Sequence, residues 1–274
     1  MKTKILLLSI CCFSFGLLNA QVFIGFGVGY SEGISRKVLG YNSEDNNVAN
    51  TYFTENVKGS YGRGTNLNVY VGYMLNDVVG FELAGNYLYG GEYYFKSVDI
   101  NPGTTSTLLQ NAYATSIRII PGFRLCYGEN ELRYYSRVAL ALGIANKLIV
   151  NYERTTTNGG GTDINEQTFV YSGGNYIGFT GAFGLTYALS ERVAVYGELT
   201  RYFISWGATE GEYTVSTRNG VDELGNMTTS EKYFEFEDRV DQTMNNNPGE
   251  PTKFLKSYSP LNSLGLNVGL HFTF

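Results

Sequence analysis

The sequence predicts an all-β protein, a membrane-spanning antiparallel up-and-down β-barrel of 8 strands, with 10 strands as the alternative. Three observations predict this fold. Segments that alternate apolar with small or polar residues recur along the chain, the connections between them alternate in length, and charged residues make up only 16%. Successive side chains of a strand point to opposite faces, so each segment has one apolar face. A membrane barrel turns that face to lipid and the other to its lumen.

The first twenty residues have the features of a secretory signal peptide. Two lysines precede an apolar run from Ile5 to Leu18, and Ala20 offers a small residue for cleavage. The run is too short to favour a spanning helix, and the residue before Cys11 is too large for a lipoprotein signal. We therefore divide the chain into a cleaved signal peptide, residues 1–20, and an outer-membrane β-barrel domain, residues 21–274.

The first four predicted strands follow the cleavage site. Strand one alternates from Val22 to Tyr30, with glycines on its other face, and strand two alternates from Asn66 to Tyr73. Strand three begins at Val79 after a short turn, and strand four runs from about Tyr113 to Tyr127. Pro121 cannot donate a ladder hydrogen bond, which counts against strand four unless the proline sits at a bulge.

The last four predicted strands repeat the pattern. Strand five alternates from Leu132 to Val150, strand six from Ile177 to Tyr187 and strand seven from Val193 to Thr200. The final strand, Leu264 to Phe274, has six apolar residues on one face and ends in an aromatic residue, as barrel strands do at the membrane interface. Taken alone, this last segment also fits a half-buried strand that closes a soluble sandwich.

The connections alternate between long and short along the chain. The long polar stretches lie at about 31–64, 90–111, 153–168 and 207–260, and short turns separate them. Bacterial outer-membrane barrels have short periplasmic turns and longer extracellular loops. If strand one starts in the periplasm, all seven connections fit this arrangement, whereas a soluble sandwich has no reason to sort its loops. The last stretch also predicts a protruding hairpin from residues 212–217 and 232–237.

On these patterns the chain resembles the small eight-stranded outer-membrane barrels, the OmpA transmembrane domain and OmpX-like proteins, in the Gly- and Tyr-rich style of Bacteroidota. The resemblance rests on the Gly25–Gly29 start, the Leu189–Arg192 turn and the Leu270–Phe274 end. It implies a location in the cell outer membrane, contact with its lipid bilayer and lipopolysaccharide, and insertion by the barrel assembly machinery. It also implies that the terminal alternation is an assembly signal, whose residues are Leu270, Phe272 and Phe274.

Charged residues on the inward faces of the strands predict a polar lumen. They are Glu82, Arg118, Arg124, Arg133, Arg137, Lys147 and Glu198. An eight-stranded barrel has an interior that side chains just fill, and each buried charge needs a partner. We therefore expect a lumen polar network of Glu82, Arg118, Arg124, Arg133, Arg137 and Glu198. An anion-selective pore is the alternative use of this basic set.

No motif for catalysis or for a cofactor is present in the sequence. The single histidine, His271, falls near the periplasmic end, a membrane thickness from an active site at the outer rim. Cys126 has no partner at metal-ligand spacing, and the glycines 159–161 lack the lysine of a phosphate loop. The acidic residues of the last long stretch lack EF-hand spacing, so they predict a solvated face rather than a cation site.

The net charge of −5 disfavours nucleic-acid binding. We therefore expect a protein that is not an enzyme and needs no cofactor or metal. The predicted function is that of an integral outer-membrane barrel with a side-chain-filled lumen and a structural or surface-interaction role through its extracellular loops. The alternatives are a narrow channel for small or apolar solutes and, third, an outer-membrane enzyme. The sequence does not identify the loop partner.

Overall fold

The computed structural model of this chain describes residues 21–128, 131–241 and 247–274. The predicted signal peptide, residues 1–20, lies outside the described residues. Almost every described segment is a β-strand, so the all-β prediction is confirmed. Within these ranges, no helix has the length and apolarity needed to cross a membrane.

The strands are numbered in chain order. They are β1 (Gln21–Gly33), β2 (Val38–Asn46), β3 (Thr51–Lys58), β4 (Gly64–Met74), β5 (Val79–Gly90), β6 (Tyr93–Asn101), β7 (Thr104–Tyr127), β8 (Leu132–Asn158), β9 (Gly161–Ser172), β10 (Tyr176–Ala188), β11 (Val193–Phe203), β12 (Ser205–Trp206), β13 (Glu210–Arg218), β14 (Val221–Asp222), β15 (Tyr233–Glu237), β16 (Thr252–Leu255), β17 (Ser259–Pro260) and β18 (Ser263–Thr273). A 3-10 turn at Leu224–Asn226 and the single helical turn α1 at Thr229–Lys232 complete the set.

Antiparallel pairing closes part of the sheet into a ring. From β1 the ring passes through β4, β5, β7, β8, β10, β11 and β18, and β18 pairs with β1 again. Val28 marks the closure, because it lies opposite Leu67 on one side and Val268 on the other. A closed ring leaves none of its own strands with an unpaired edge.

The ring is apolar outside and polar inside. Alternate side chains on each of its strands are exposed and apolar, as in Ile24, Phe26 and Val28 of β1. The positions between them are small, polar or aromatic and are mostly buried, and they meet across the interior. Gly25 is one of these positions, and a Cβ atom there would collide with the Tyr70 ring. Small residues on β1 therefore make room for the large lumen side chains.

A bulge in β8 changes which side chains face inward. Ile117 lies opposite Ala145 but Arg118 lies opposite Gly143, so β8 contains one extra residue at this point. A bulge of this kind reverses the alternation beyond it. Leu148 and Val150 are consequently buried and Lys147 is exposed. The prediction that Lys147 faces the lumen assumed one unbroken alternation through this strand and is therefore wrong.

The long polar stretches are mostly strands rather than loops. β7 and β8 continue past the ring, and further strands add to them on both sides in the order β3-β2-β6-β7-β8-β9-β13-β15-β16. We call this extension the outer sheet. The predicted hairpin of residues 212–217 with 232–237 is found only in part. β13 pairs with β15 at residues 210–212 alone, and it forms its tight hairpin with β14, where Thr217 lies opposite Asp222. Strands with polar residues on both faces show no alternation, so the pattern that identified the ring missed them.

The opposite end of the ring has short turns. In the turn after β4, the Asn76 side-chain oxygen accepts hydrogen bonds from the backbone N–H groups of Val78, at 2.9 Å, and Val79, at 2.8 Å. In the turn after β10, the Ser190 hydroxyl accepts from Val193 N–H at 3.2 Å. These local hydrogen bonds satisfy backbone N–H groups of each turn, so the turns need no additional residues. The predicted alternation of connection lengths therefore corresponds to two different ends of the ring.

A buried cap lies where the ring meets the outer sheet. Trp206 and Leu261 are 2% and 1% exposed there. The Trp206 indole N–H lies 2.9 Å from the Gly173 carbonyl oxygen and 2.8 Å from that of Gly174. Both glycines have positive φ angles, 68° and 69°, which side chains with a Cβ rarely adopt. This turn places two carbonyl oxygens toward the indole.

Candidate functional site

An ion-pair network crosses the lumen of the ring. Glu82 comes from β5, Arg124 from β7, Arg137 from β8 and Glu198 from β11, and all four side chains are buried. They meet because each occupies an inward position on its strand. The network is therefore a product of the alternation in four separate strands.

Arg137 is the centre of this network. Its guanidinium contacts Glu82 Oε1 through Nη1, and its Nη2 lies 2.9 Å from Glu198 Oε1. Arg124 Nη1 lies 2.9 Å from the other oxygen of Glu82. Each carboxylate thus has at least one guanidinium partner, as a buried charge requires.

Neutral groups complete the surroundings of Glu198. Tyr135 donates its hydroxyl to Glu198 Oε2 at 3.0 Å, and Thr200 donates to Glu198 Oε1 at 2.6 Å. The Arg124 guanidinium carbon lies 3.6 Å from the centroid of the Tyr135 ring, a cation–π contact. Charged hydrogen bonds inside a low-dielectric interior are strong and rigid.

Arg118 lies apart from the two carboxylates. It is fully buried, and its Nε donates to the Tyr176 hydroxyl at 2.9 Å. Its Nη1 lies 3.3 Å from Asn86 Oδ1, and its guanidinium carbon is 4.7 Å from the Tyr202 ring centroid. Polar and aromatic groups, rather than an acid, therefore surround this cation.

A run of side-chain amides extends the polar interior, and the sequence analysis did not identify it as a network. Asn86 donates to Asn68 Oδ1 at 2.8 Å, Asn68 donates to Asn267 Oδ1 at 3.1 Å, and Asn267 donates to Thr200 at 2.9 Å. The amides link the surroundings of Arg118 to those of Glu198. The sequence does contain a signal for this network, because three strands each place an asparagine on the inward face.

Two residues at the turn end of the ring differ in their environment. Arg133, which the sequence analysis placed in the lumen network, is exposed and takes no part in the ion pairs described above. It lies only two positions into β8, where the ring opens to solvent. His271 is partly buried, with Nδ1 3.1 Å from the Tyr70 hydroxyl and its ring 5.2 Å from that of Phe23.

The predicted assembly residues lie at the end of β18. Leu270 and Phe272 are partly buried, and the Phe272 ring stacks on Phe26 of β1 at 5.8 Å. Phe274 is 71% exposed and its backbone N–H donates to the Val22 carbonyl at 2.9 Å. This backbone bond joins the two terminal strands of the ring, while the Phe274 side chain is left exposed.

We expect Phe274→Ala to reduce the amount of assembled barrel more than the stability of the barrel that forms. The exposed ring contributes little packing, and the backbone bond to Val22 does not need the side chain. The measurement compares heat-modifiable mobility on gels, for yield, with denaturant unfolding in lipid, for stability. Thr273→Ala is the neighbouring control. Normal yield of Phe274→Ala would remove the assembly role of this residue.

Ionisable groups of the outer sheet are paired locally. Arg218 donates to both carboxylate oxygens of Asp163, at 3.1 and 3.0 Å, and these hydrogen bonds hold the pKa of Asp163 below its usual range. Near the cap, burial raises the pKa of Tyr61 to about 12. Glu235 and Glu237, from the acidic part of the last stretch, lie 3.6 and 2.7 Å from Lys253. In the described ranges, no group of three or more His, Cys, Asp or Glu residues could hold a metal ion.

The outer sheet has an open groove of about 980 Å³ on one face. Its lining side chains come from β2, β3, β6, β7, β8, β9 and β13 and combine carboxylates, amides and apolar groups. On β7 and β8 they occupy the positions that continue the outside of the ring, such as Leu109 and Glu153. The groove is therefore on the exterior of the molecule and separate from the lumen.

Comparison with known proteins gives likeness of fold only. No protein-family model and no curated protein matches the chain. The outer membrane protein OprG from Pseudomonas aeruginosa matches with a TM-score of 0.43 and 11% identity, over 93% of this chain and 96% of that one. Ail of Yersinia pestis, solved with the heparin analogue sucrose octasulfate, matches with a TM-score of 0.36 and 7% identity, over 94% and 100%. CarO2 of Acinetobacter baumannii matches with a TM-score of 0.31 and 12% identity, over 92% and 99%.

The ring, its apolar outside and its charged interior define the class of this protein as a β-barrel protein. The identities and TM-scores of these matches are low. The assignment of this chain to the β-barrel class therefore rests on its own strands and side chains.

Proposed function

We propose that this chain is an integral protein of the bacterial outer membrane, an eight-stranded barrel that anchors the outer sheet at the cell surface. In this proposal the lumen is filled by side chains, and the protein neither conducts solutes nor catalyses a reaction. The outer sheet makes the contacts with partners. Lipid and lipopolysaccharide surround the ring, and the assembly machinery for barrels inserts it.

The observation that carries this proposal is the pair of salt bridges from Arg137 across the lumen. One guanidinium joins acids from β5 and β11, and Arg124 over Tyr135 occupies the space beside it. The buried Arg118 and its amide neighbours fill the next level toward the outer sheet. A network that supports the fold is therefore favoured over a water-filled passage.

The apolar outside of the ring supports insertion in a membrane. Large apolar side chains such as Phe179, Phe183 and Val268 are 62%, 59% and 60% exposed. An exposed apolar surface of this extent is costly in water and is the normal exterior of a membrane barrel. Strands of the ring are long enough, at eleven or more residues, to cross the hydrocarbon core when tilted.

Conductance measurements on the purified barrel in planar bilayers test the filled lumen. We expect no current steps above those of the bare bilayer. The control is Arg137→Ala with Tyr135→Ala, which removes two of the large groups that cross the lumen. A wild-type current that persists as discrete steps would instead favour the channel.

Protease added to intact cells tests the orientation. We expect cleavage between Gly207 and Pro260, within the exposed residues 219–228 of the outer sheet, and no cleavage at the turns around Asn76 and Ser190. The third predicted turn includes Asn130, which lies outside the described residues. Permeabilised cells are the control in which the turns become accessible. Cleavage at Asn76 or Ser190 in intact cells would contradict the orientation.

A further inference from the structure

The groove on the outer sheet has an apolar middle between two acidic ends. Tyr94 of β6 and Leu109 of β7 line this middle and are 68% and 42% exposed. Phe53 and Val215 add apolar groups at the outermost lining strands, β3 and β13. Exposed apolar groups that line one shared groove are typical of a binding surface. The groove therefore has the composition of a docking surface.

One acidic end has two carboxylates placed directly opposite each other. Glu153 of β8 lies opposite Glu166 of β9 in the pairing register, so both side chains are on one face of the sheet. Like charges opposite each other across two strands are destabilising. Thr217 donates to Glu166 at 3.1 Å, but no salt bridge to either glutamate is present in the described part of the chain. A cation bound here would relieve their repulsion.

The other acidic end lies on the first two strands of the outer sheet. Glu44 of β2 lies opposite Phe53 of β3, and Glu55 of β3 lies opposite Asn42 of β2. Both glutamates line the groove, and neither forms a salt bridge within the ranges that the structure describes. The lining thus presents two separate pairs of uncompensated carboxylates.

Register sets the spacing of the two ends. The path β2-β6-β7-β8 has three inter-strand steps, roughly 14 Å at about 4.8 Å each, and β3 to β9 has five steps, roughly 24 Å. Between the ends, Lys96 lies opposite Leu109, so the middle carries one positive charge beside apolar groups. A ligand that fits therefore has cations at its two ends and an apolar middle.

We propose that this groove binds an extended peptide segment of a partner whose basic residues flank an apolar centre. The inference rests on the proposed function, which places the outer sheet at the cell surface. Charge complementarity selects the ends of the peptide, and Lys96 excludes basic residues from its centre. Aliphatic and aromatic side chains of the groove contact the apolar centre.

A pair of synthetic peptides tests the spacing. The first, Lys-Lys-Val-Thr-Val-Thr-Lys-Lys, places its lysine pairs about 20 Å apart when extended, at ~3.3 Å per residue. The second, Val-Thr-Lys-Lys-Lys-Lys-Val-Thr, has the same composition with the lysines in the centre. Fluorescence anisotropy with the purified barrel in neutral detergent should show that the first peptide binds at least fivefold more tightly. Equal affinity of the two peptides, or no binding of the first, would overturn the proposal.

Two sets of variants locate the binding. The double variant Glu153→Gln, Glu166→Gln should lower the affinity for the first peptide about five- to tenfold, as expected for exposed charge pairs. The control is Glu223→Gln with Glu250→Gln, which neutralises two exposed acids outside the groove and should change nothing. Equal effects of the two double variants would show that only net charge attracts the peptide.

The variant Lys96→Gln should raise the affinity for the second peptide, which has its lysines in the centre, and leave the affinity for the first peptide nearly unchanged. A merely acidic surface would gain affinity for both peptides, so that result would contradict the proposal. Binding of lipopolysaccharide that requires Ca²⁺ or Mg²⁺, with no binding of either peptide, would also overturn it. Each sample is first shown to migrate as a folded barrel. A folded protein that fails to bind overturns this inference alone, and a protein absent from the outer-membrane fraction overturns the proposed function.

Discussion

Replacing Glu82 with glutamine should lower the free energy of unfolding by about 3–5 kcal/mol, the usual cost of breaking a buried pair. Glu82 is 3% exposed and contacts Arg124 and Arg137 together. The substitution keeps the shape of the side chain but leaves Arg124 without a carboxylate partner among the contacts described. Denaturant titration in lipid vesicles, followed by circular dichroism, measures the change.

Glu32→Gln is the matched control for this prediction. Glu32 is exposed and lies 3.6 Å from Arg63 near the end of β1, and exposed pairs of this kind contribute about 0–1 kcal/mol. Glu198→Gln should resemble Glu82→Gln, because Glu198 also contacts Arg137 in the interior. Unchanged unfolding of both lumen variants would show that the network does not support the barrel.

Val268→Lys should destabilise the inserted barrel by roughly 2–4 kcal/mol, since a lysine on the lipid face near the bilayer midplane is costly. Val268 is 60% exposed and lies opposite Val28 and Gly197, in the middle of β18. In water, a lysine at such an exposed position would cost almost nothing. The predicted loss therefore measures the medium around the ring rather than packing inside the protein.

The control for this substitution is the same change at an equally exposed valine. Val221 is 67% exposed on the outer sheet, and Val221→Lys should alter stability by less than about 0.5 kcal/mol. Unfolding in lipid vesicles compares the two variants. If Val268→Lys were as stable as Val221→Lys, the ring would not face lipid at this position.

Alternation alone was enough to find the strands of the ring. The apolar positions predicted for the first strand, from Val22 to Tyr30, are the exposed ones, and the glycines between them face the lumen. A one-residue shift reverses both faces of a strand, so the pattern is highly informative where one face is apolar. The same property explains the error at Lys147. One extra residue in β8 reverses the inward and outward faces beyond the bulge, and nothing in the local sequence marks where that residue lies.

The outer sheet could not be predicted from alternation. Residues such as Glu44 and Asp45 alternate in direction like any strand residues, but both faces of β2 are polar. Its pairing with the distant β6 is parallel and depends on contacts that no local pattern encodes. The groove combines residues from seven strands, so its acidic ends become visible only when the register is known.

The lumen was predictable in part. The inward-facing positions of the alternating strands identified Glu82, Arg124, Arg137 and Glu198, which the structure brings together. It could not separate Arg133, because an inward position near an open end of a ring is still solvent-exposed. Depth along the barrel axis, rather than direction alone, decides whether a charge needs a partner.

The buried cap gives this protein an internal optical probe. Trp206 is the only tryptophan in the chain, and its indole is enclosed at the junction of the ring and the outer sheet. Its emission spectrum depends on the polarity around the indole, so exposure to water would shift it to longer wavelength. Tryptophan fluorescence would therefore report whether the outer sheet separates from the ring before the ring itself opens.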